Sequence, residues 1–390
     1  MNLFRARARV YLDAAAASPV SKRAQRAFLR ALSLSGNPSS PHEQGRAARA
    51  LLEDARTTIA KLAEVKPDAV IATGSATEAN ALGIMGHGMA LIEGGVLPKD
   101  MHVLYDAGAH RSLVGAVAAL SARGVRTEAL AYANGAIDVA RLRAQVGPNT
   151  RLVVVSAVCG ETGAKTAVRD IRRAIGESVT LHVDASQLPH VAPFELTRLG
   201  ADMVVLDAQK VGGVRGVGVL IAPRRVPLSP LYVGGGQERG LRPGTPSPAL
   251  LVAFAEALVE SGEGREAFLA HAATLRTQVL AAAQALPNVE ANEGREQAPH
   301  ILNLSILGRD TDYLVALLDA EGFAVSTKSA CEQDGEGSRP VLQMTGSIER
   351  ANSTLRISFS PATTMREVQA FSRALLRSVN FLDSTDILKA

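Results

Sequence analysis

The chain has 390 residues and 40.8 kDa, with 47% hydrophobic and 21% charged residues, which excludes global disorder and suits one large domain with a smaller companion. A formal net charge of +4, no Trp and 4% aromatics give no footing for direct nucleic-acid binding. Two cysteines, Cys159 and Cys331, cannot form a disulfide framework and offer no CxxC spacing for a zinc or iron–sulfur site, and point to a reducing, cytoplasmic setting with no metal expected.

The basic start Met1–Arg9 meets Asp13 before any long apolar stretch, so it is not read as a signal peptide. No run of about 18 apolar residues marks a membrane span. Gly45–Ala63 repeats Ala48, Leu51, Leu52, Ala55, Ile59 and Leu62 at helical spacing. A short apolar strand follows at Ala69–Ala72, then a helix at Thr77–His87, a strand at His102–Tyr105 and a helix at Arg111–Ala122. Arg151–Val158 reads as a buried strand because it is short, β-branched and uncharged after its first residue. Val179–Val183 and Asp202–Leu206 repeat that pattern. This alternation predicts an α/β fold with a mainly parallel sheet flanked by helices.

The texture changes near residue 250. Gly234-Gly235-Gly236 and Pro243-Gly244-Thr245-Pro246 form a loop-rich hinge. A long helical stretch, Ala249–Leu286, follows, with Gly262 and Gly264 as candidate breaks. Then come a strand at Ile301–Ile306, a helix at Thr311–Ala320, a strand at Thr354–Ser358 and a helix at Thr364–Leu382. The expected division is a large domain over 16–250 and a smaller α+β domain over 1–15 and 251–390.

Four segments carry chemistry-bearing side chains. In Thr73-Gly74-Ser75-Ala76-Thr77-Glu78, a turn from strand to helix leaves backbone N–H groups that either bind an anion or are capped by Ser75 or Thr77; the Gly-Lys-Ser/Thr ending of a P-loop is missing. Asp184 follows His182-Val183 at a strand's carboxyl end, where it suits a protonated ring nitrogen, a metal or a helix cap. Lys210 ends a strand among glycines, in a chain with eight lysines against 34 arginines; it is either a Schiff-base former or a solvated lysine. Cys331 lies in a polar loop after Lys328-Ser329-Ala330, unlike the apolar setting of an unreactive thiol, and is either a nucleophile or an incidental exposed thiol.

The order and spacing of these segments match one pattern. Tyr11-Leu12-Asp13, Gly36–His42, Gly74–Asn80, His110, Val183–Gln187, Lys210–Gly218, Gly234–Thr245, Ser329-Ala330-Cys331 and Leu355–Ser358 together resemble the cysteine desulfurases, pyridoxal 5'-phosphate enzymes of fold type I in the class V aminotransferase group. The resemblance implies a large cofactor-binding domain and a smaller α+β C-terminal domain. It gives Lys210 the covalent link to the cofactor and the substrate's α-proton. Asp184 takes the pyridine nitrogen, keeping it protonated so that the ring is an electron sink. Gln187 takes the ring's phenolic oxygen, and His110 stacks on the ring face. Ser75, Ala76, Thr77 and Gln209 hold the phosphate. Thr245 reaches the phosphate of the other subunit of a homodimer. Arg356, together with Asn37, binds the substrate, the guanidinium forking onto its α-carboxylate. Cys331 attacks the sulfur of L-cysteine, yielding L-alanine and a persulfide that passes to a protein sulfur acceptor.

Several positions depart from the pattern. Gln209 stands for a His, Asp207 for a Ser that binds phosphate, Gly160 for an Asn, and Thr327-Lys328 for Ser-Gly before the nucleophile's Ser-Ala. A carboxylate facing a phosphate is repelled, so Asp207 points away, pairs with Arg239 or Arg242, or weakens cofactor binding. Cys159, beside Gly160, is a candidate second sulfur acceptor. Two other readings remain: another pyridoxal-phosphate lyase or an aminotransferase (selenocysteine lyase is one example), and a non-catalytic sulfur-transfer partner or regulator. Cys331 within Ser-Ala-Cys favours the desulfurase, because transamination needs no thiol nucleophile.

Overall fold

The computed structural model describes residues 9–327 and 337–386, so Cys331 and Lys328 lie outside the described residues. The chain divides into two compact units, one built from Ser18–Cys159 and Thr166–Arg265, the other from Met1–Ala17, Gly160–Lys165 and Glu266–Ala390.

The larger unit is organised by a seven-stranded sheet. In chain order its strands are β1 (Val70–Thr73), β2 (His102–Tyr105), β3 (Arg126–Ala129), β4 (Thr150–Ser156), β5 (Thr180–Asp184), β6 (Met203–Asp207) and β7 (Gly218–Ile221). Their order across the sheet is β1-β7-β6-β5-β4-β2-β3. Only β7 runs against its neighbours, pairing antiparallel with both β1 and β6. The central strands are apolar runs because helices cover both faces. Leu152, Val153, Val154 and Val155 are all 0% exposed, as are Met203, Val204, Val205 and Leu206. Each such side chain favours the fold by about 1.5–3 kcal/mol over an exposed one.

Among the covering helices, α1 (Glu43–Leu62) matches its predicted periodicity and buries Ala48, Leu52, Ala55 and Ile59. The helix after β1 is longer than predicted. Its first segment, α2 (Ala76–Ala81), runs into a wide turn at Leu82–Gly86 and continues through His87–Glu93. A Cβ at Gly83 would lie 2.5 Å from Cε1 of His182, so the glycine lets that ring approach the helix backbone. The next helix is α3 (Arg111–Ser121), as expected from the sequence.

The chain leaves the larger unit along α4 (Pro248–Ala283), a 36-residue helix that passes Gly262 and Gly264 without a break. Two helical glycines cost about 1 kcal/mol each relative to alanine. Burial of Phe254, Ala257, Leu258, Leu275 and Val279 along the same helix outweighs that. The continuity also hides the border between the units from the sequence: Arg265 and Glu266 are consecutive helical residues.

In the smaller unit a three-stranded antiparallel sheet comprises β8 (Val289–Ala291), β9 (Ile301–Ile306) and β10 (Thr354–Ser358), with β9 central. Its core joins Leu302, Leu304, Leu355 and Ile357 to Leu314 and Leu318 of α5 (Thr311–Ala320) and to Phe371 and Leu375 of α6 (Met365–Asp386). The N-terminal Val10–Tyr11 pairs in parallel with Phe323–Ala324, and Leu12 is fully buried in this core.

Candidate active site

The carboxyl ends of β5 and β6 lie side by side, with Asp184 opposite Val205 in parallel register. This is where an open α/β sheet presents groups to a ligand. Asp184 is 9% exposed and both its carboxylate oxygens are engaged. Oδ1 accepts from Ser186 N–H at 2.9 Å and Oδ2 from the Asn80 amide at 2.8 Å. The alternative, Asp184 as a helix cap, is not what the structure shows: no helix starts behind it, and Ser186 and Gln187 follow in irregular backbone.

Asn80, 0% exposed, is the junction of a network that the sequence pattern did not reveal. Its amide nitrogen also donates to Ser112 Oγ at 3.0 Å, so its Oδ1 is left to accept from His182 Nε2 at 2.9 Å. Burial lowers the His182 pKa to about 4, so the ring is neutral at neutral pH. Ser112 Oγ in turn lies 2.8 Å from His110 Nδ1, and the Ser112 backbone N–H donates to the same nitrogen at 3.2 Å. A backbone N–H only donates, so Nδ1 is an acceptor and the neutral ring carries its proton on Nε2. His110 caps α3 and is exposed, so it can offer a ring face. Two predicted residues, His110 and Asp184, are therefore joined through two unpredicted ones, Asn80 and Ser112. The signal for Asn80 was its place inside the matched Gly74–Asn80 segment.

Lys210 closes the short turn Ala208–Lys210 after β6. Its carbonyl accepts from His190 Nε2 at 3.1 Å, and His190 Nδ1 meets Ser261 Oγ at 3.0 Å. Burial lowers the His190 pKa to about 4. A neutral His190 thus fixes the backbone that aims Lys210. Gln187 is buried nearby in sequence, at 6% exposure. Gln209 is half-buried, and its carbonyl accepts from Ser18 N–H at 2.7 Å.

The start of α2 is the predicted anion seat. Ser75 is the N-cap, its hydroxyl accepting from Glu78 N–H at 3.2 Å, while Thr77 is exposed in the first turn. A Cβ at Gly218 of β7 would lie 2.5 Å from the Ser75 carbonyl carbon and 2.7 Å from Ala76 N, so glycine is what lets that strand meet the turn. Gly74 N–H is taken by Glu78 Oε2 at 2.6 Å. Glu78 also pairs with Arg242 at 3.0 Å, and together these donors hold its carboxyl below the ordinary range although burial opposes them. Asp207 pairs with neither Arg239 nor Arg242, contrary to one expectation: Arg239 donates to the carbonyls of Asp68 and Ala222. Asp207 turns instead onto the seat itself, Oδ2 accepting from Ala76 N–H at 3.2 Å.

The other predicted residues have separate surroundings within their own units. Asn37 is exposed and holds its own turn, Oδ1 accepting from Ser39 N–H at 2.9 Å. Thr245 is exposed on its loop. Within the smaller unit Arg356 is 3% exposed; it donates to Asp13 Oδ1 at 2.7 Å and to the Gly160 carbonyl at 3.1 Å. Cys159 is half-buried at the end of the segment after β4.

Pyridoxal phosphate, the cofactor that the resemblance implies, fits these residues at its ring end. The donor set supplies a carboxylate oriented by two N–H groups, a lysine on a fixed backbone and an exposed imidazole. Ser186 Oγ, buried without a hydrogen-bond partner among the described residues, adds a further polar group beside Asp184. The phosphate end offers the N–H groups of a glycine-cradled turn, with Asp207 already upon one of them.

The Aminotransferase class-V family model matches residues 10–371. A cysteine desulfurase of Frankia sp. (strain EuIK1) is 33% identical, covering 97% of this chain and 94% of that protein. The cysteine desulfurase IscS of Neisseria meningitidis serogroup C (strain 053442) is 33% identical over 95% of this chain and 91% of its own length. Among solved structures, a NifS-like protein superposes with TM-score 0.89 at 27% identity, covering 96% of this chain and 100% of that one. DndA from Streptomyces lividans gives TM-score 0.75 at 31% identity over 88% of this chain and 97% of its own. The chain belongs to the cysteine desulfurases, pyridoxal-phosphate enzymes of the class V aminotransferase family.

Proposed function

We propose that this protein removes sulfur from L-cysteine, releasing L-alanine and leaving a persulfide on Cys331 for transfer to a protein acceptor. The observation that carries this reading is the placement of Asp184 and Lys210 at the ends of adjacent parallel strands, each held by buried partners, in a chain of this family. Bound pyridoxal phosphate supplies an electron sink for the charge that develops at the substrate's α-carbon. Asp184 keeps the ring nitrogen protonated, Asn80 and Ser186 fix its oxygens, and Gln187 takes the ring's phenolic oxygen. Lys210 anchors the cofactor and carries the α-proton. His110, with Nδ1 engaged by Ser112, presents its ring face and its Nε2 proton. Ser75, Ala76, Thr77 and Gln209 serve the phosphate. Arg356 and Asn37 bind the substrate, the guanidinium taking the α-carboxylate.

The protein works as a homodimer in the cytoplasm, with Thr245 of each subunit completing the other's phosphate site. Among the described residues no helix is long and apolar enough to cross a membrane.

The test is stoichiometric. Sulfide released under reductant and alanine formed from L-cysteine should be equal. Cys331→Ala should lower turnover on the order of 10³-fold or more while the visible cofactor band remains. Mapping by mass spectrometry should place the persulfide on Cys331; sulfur on Cys159 with full Cys331→Ala activity would reassign the nucleophile.

A further inference from the structure

Asp207 stands where the cofactor's phosphate is to sit. It ends β6, is 6% exposed, and points both oxygens at backbone N–H groups. Oδ2 accepts from Ala76 at 3.2 Å and Oδ1 from Gln209 at 3.0 Å. Ala76 and Gln209 belong to the two segments assigned to the phosphate, so carboxylate and phosphate compete for the same donors.

The charges around Asp207 do not neutralise it by ion pairing. Lys210, on the turn that follows, attracts it, and Asp184, from β5, repels it. β7 on its other side is Gly218-Val219-Leu220-Ile221 and brings no titratable side chain. α2 brings Glu78, another carboxylate, already satisfied by Gly74 N–H, Arg242 and the Tyr232 hydroxyl. Burial is the largest influence on Asp207 and pushes its carboxyl above the ordinary range; Lys210 and the two N–H donors oppose that only in part.

We propose that Asp207 holds the phosphate seat as an internal anion, and that the cofactor's phosphate is accepted only with a proton on Asp207. Loading with pyridoxal phosphate then takes up one proton: the acid gives its hydrogen bond to a phosphate oxygen, and Ala76 N–H passes from Asp207 to the phosphate. The inference rests on the pyridoxal-phosphate reading above and assigns the site a pH-dependent cofactor affinity. Above the pH at which Asp207 ionises, affinity falls by about tenfold per pH unit relative to a chain without the carboxylate. Raised pH, not loss of fold, would then empty the site.

Titration of the full-length apoprotein with pyridoxal phosphate tests this, in wild type, Asp207→Ser and Asp207→Asn, from about pH 6 to pH 9. The ratio of wild-type to variant dissociation constants is expected to rise at least tenfold over that range. Pyridoxal, which lacks the phosphate, should bind all three alike at every pH. Asn keeps the side-chain shape and an oxygen for Ala76 N–H, so it carries the comparison if the Ser variant misfolds. Calorimetry of wild type in two buffers of different ionisation enthalpy needs no variant. It should show about one more proton taken up with pyridoxal phosphate than with pyridoxal. A flat ratio near one, or equal proton uptake for the two ligands, overturns the role of Asp207 and leaves the cofactor reading standing. Failure of wild type to bind pyridoxal phosphate at any pH would sink both.

Discussion

Asn80 ties together three groups of the candidate site. Its three polar contacts reach Asp184, Ser112 and His182, and it is completely buried. Replacing it by Ala leaves the His182 N–H and one Asp184 oxygen without protein partners. Leaving a buried group unsatisfied costs about 1–3 kcal/mol. Asn80→Ala should therefore lower unfolding free energy by that amount in urea, and should also weaken cofactor binding because Asp184 can then turn. A variant with wild-type stability and cofactor affinity would show that the network does not orient Asp184. The same scale holds one of the departures from the family's pattern. Asp207 was legible as an anomaly from its position relative to Lys210, but its target, the Ala76 N–H, was not. Those residues are 131 positions apart and are joined only by the sheet.

At the scale of elements, the loop over Gly234–Thr245 is tied down by a buried ion pair. Glu238 Oε1 meets Arg56 Nη2 at 2.6 Å, with side chains 2% and 9% exposed, and Glu238 Oε2 also accepts from Ala72 N–H of β1 at 2.8 Å. Arg56 donates further to the Val70 carbonyl. The pair therefore links α1, the edge strand and the loop carrying Thr245. Glu238 and Arg239 adopt left-handed backbone, φ 48° and 64°, a strain that this anchoring must offset. Glu238→Ala removes the buried partner of Arg56, leaving it the exposed Glu53 carboxylate and the Val70 carbonyl, and should destabilise the protein by about 3 kcal/mol, read from chemical denaturation. Loss under about 1 kcal/mol, the scale of an exposed pair, would mean that the arginine finds other acceptors. None of this was visible in the glycine-rich sequence, which identified the loop and left its anchor unnamed. The close approach of the His182 ring to Gly83, in the wide turn of the helix after β1, was equally hidden, because that ring comes from a distant strand.

For the whole molecule, two buried neutral histidines set an acid limit. His182 and His190 are buried in the larger unit, with pKa values lowered by burial to about 4 from the ordinary 6.5. Their contribution to stability is complete above pH 6.5 and is lost as pH falls through that value toward 4, because the unfolded chain binds the protons first. The loss should reach about 2 kcal/mol for each histidine by about pH 5. Urea midpoints of the protein between about pH 7.5 and pH 5 should show it, and His190→Gln should remove about half of the slope. A midpoint unchanged over that window would mean that the rings are protonated or solvated in the folded state.

By itself the sequence determined the alternation of buried strands and helices, the family and the segments that carry its chemistry. Apolar runs and short motifs are local, so Leu152–Val155 and Met203–Leu206 declare themselves as strands without reference to the rest of the chain. It also marked Asp184 and Lys210 by their places at strand ends, and the resemblance added His110. Tertiary structure alone decided which groups touch: Asn80 on Asp184, His190 on the Lys210 backbone, Asp207 on Ala76, and Gly218 against Ser75. It decided too that α4 runs unbroken past its glycines. The physical reason is common to all of these. Each depends on contacts between residues distant in the chain, and the energy of such a contact depends on burial, which a one-dimensional pattern does not contain.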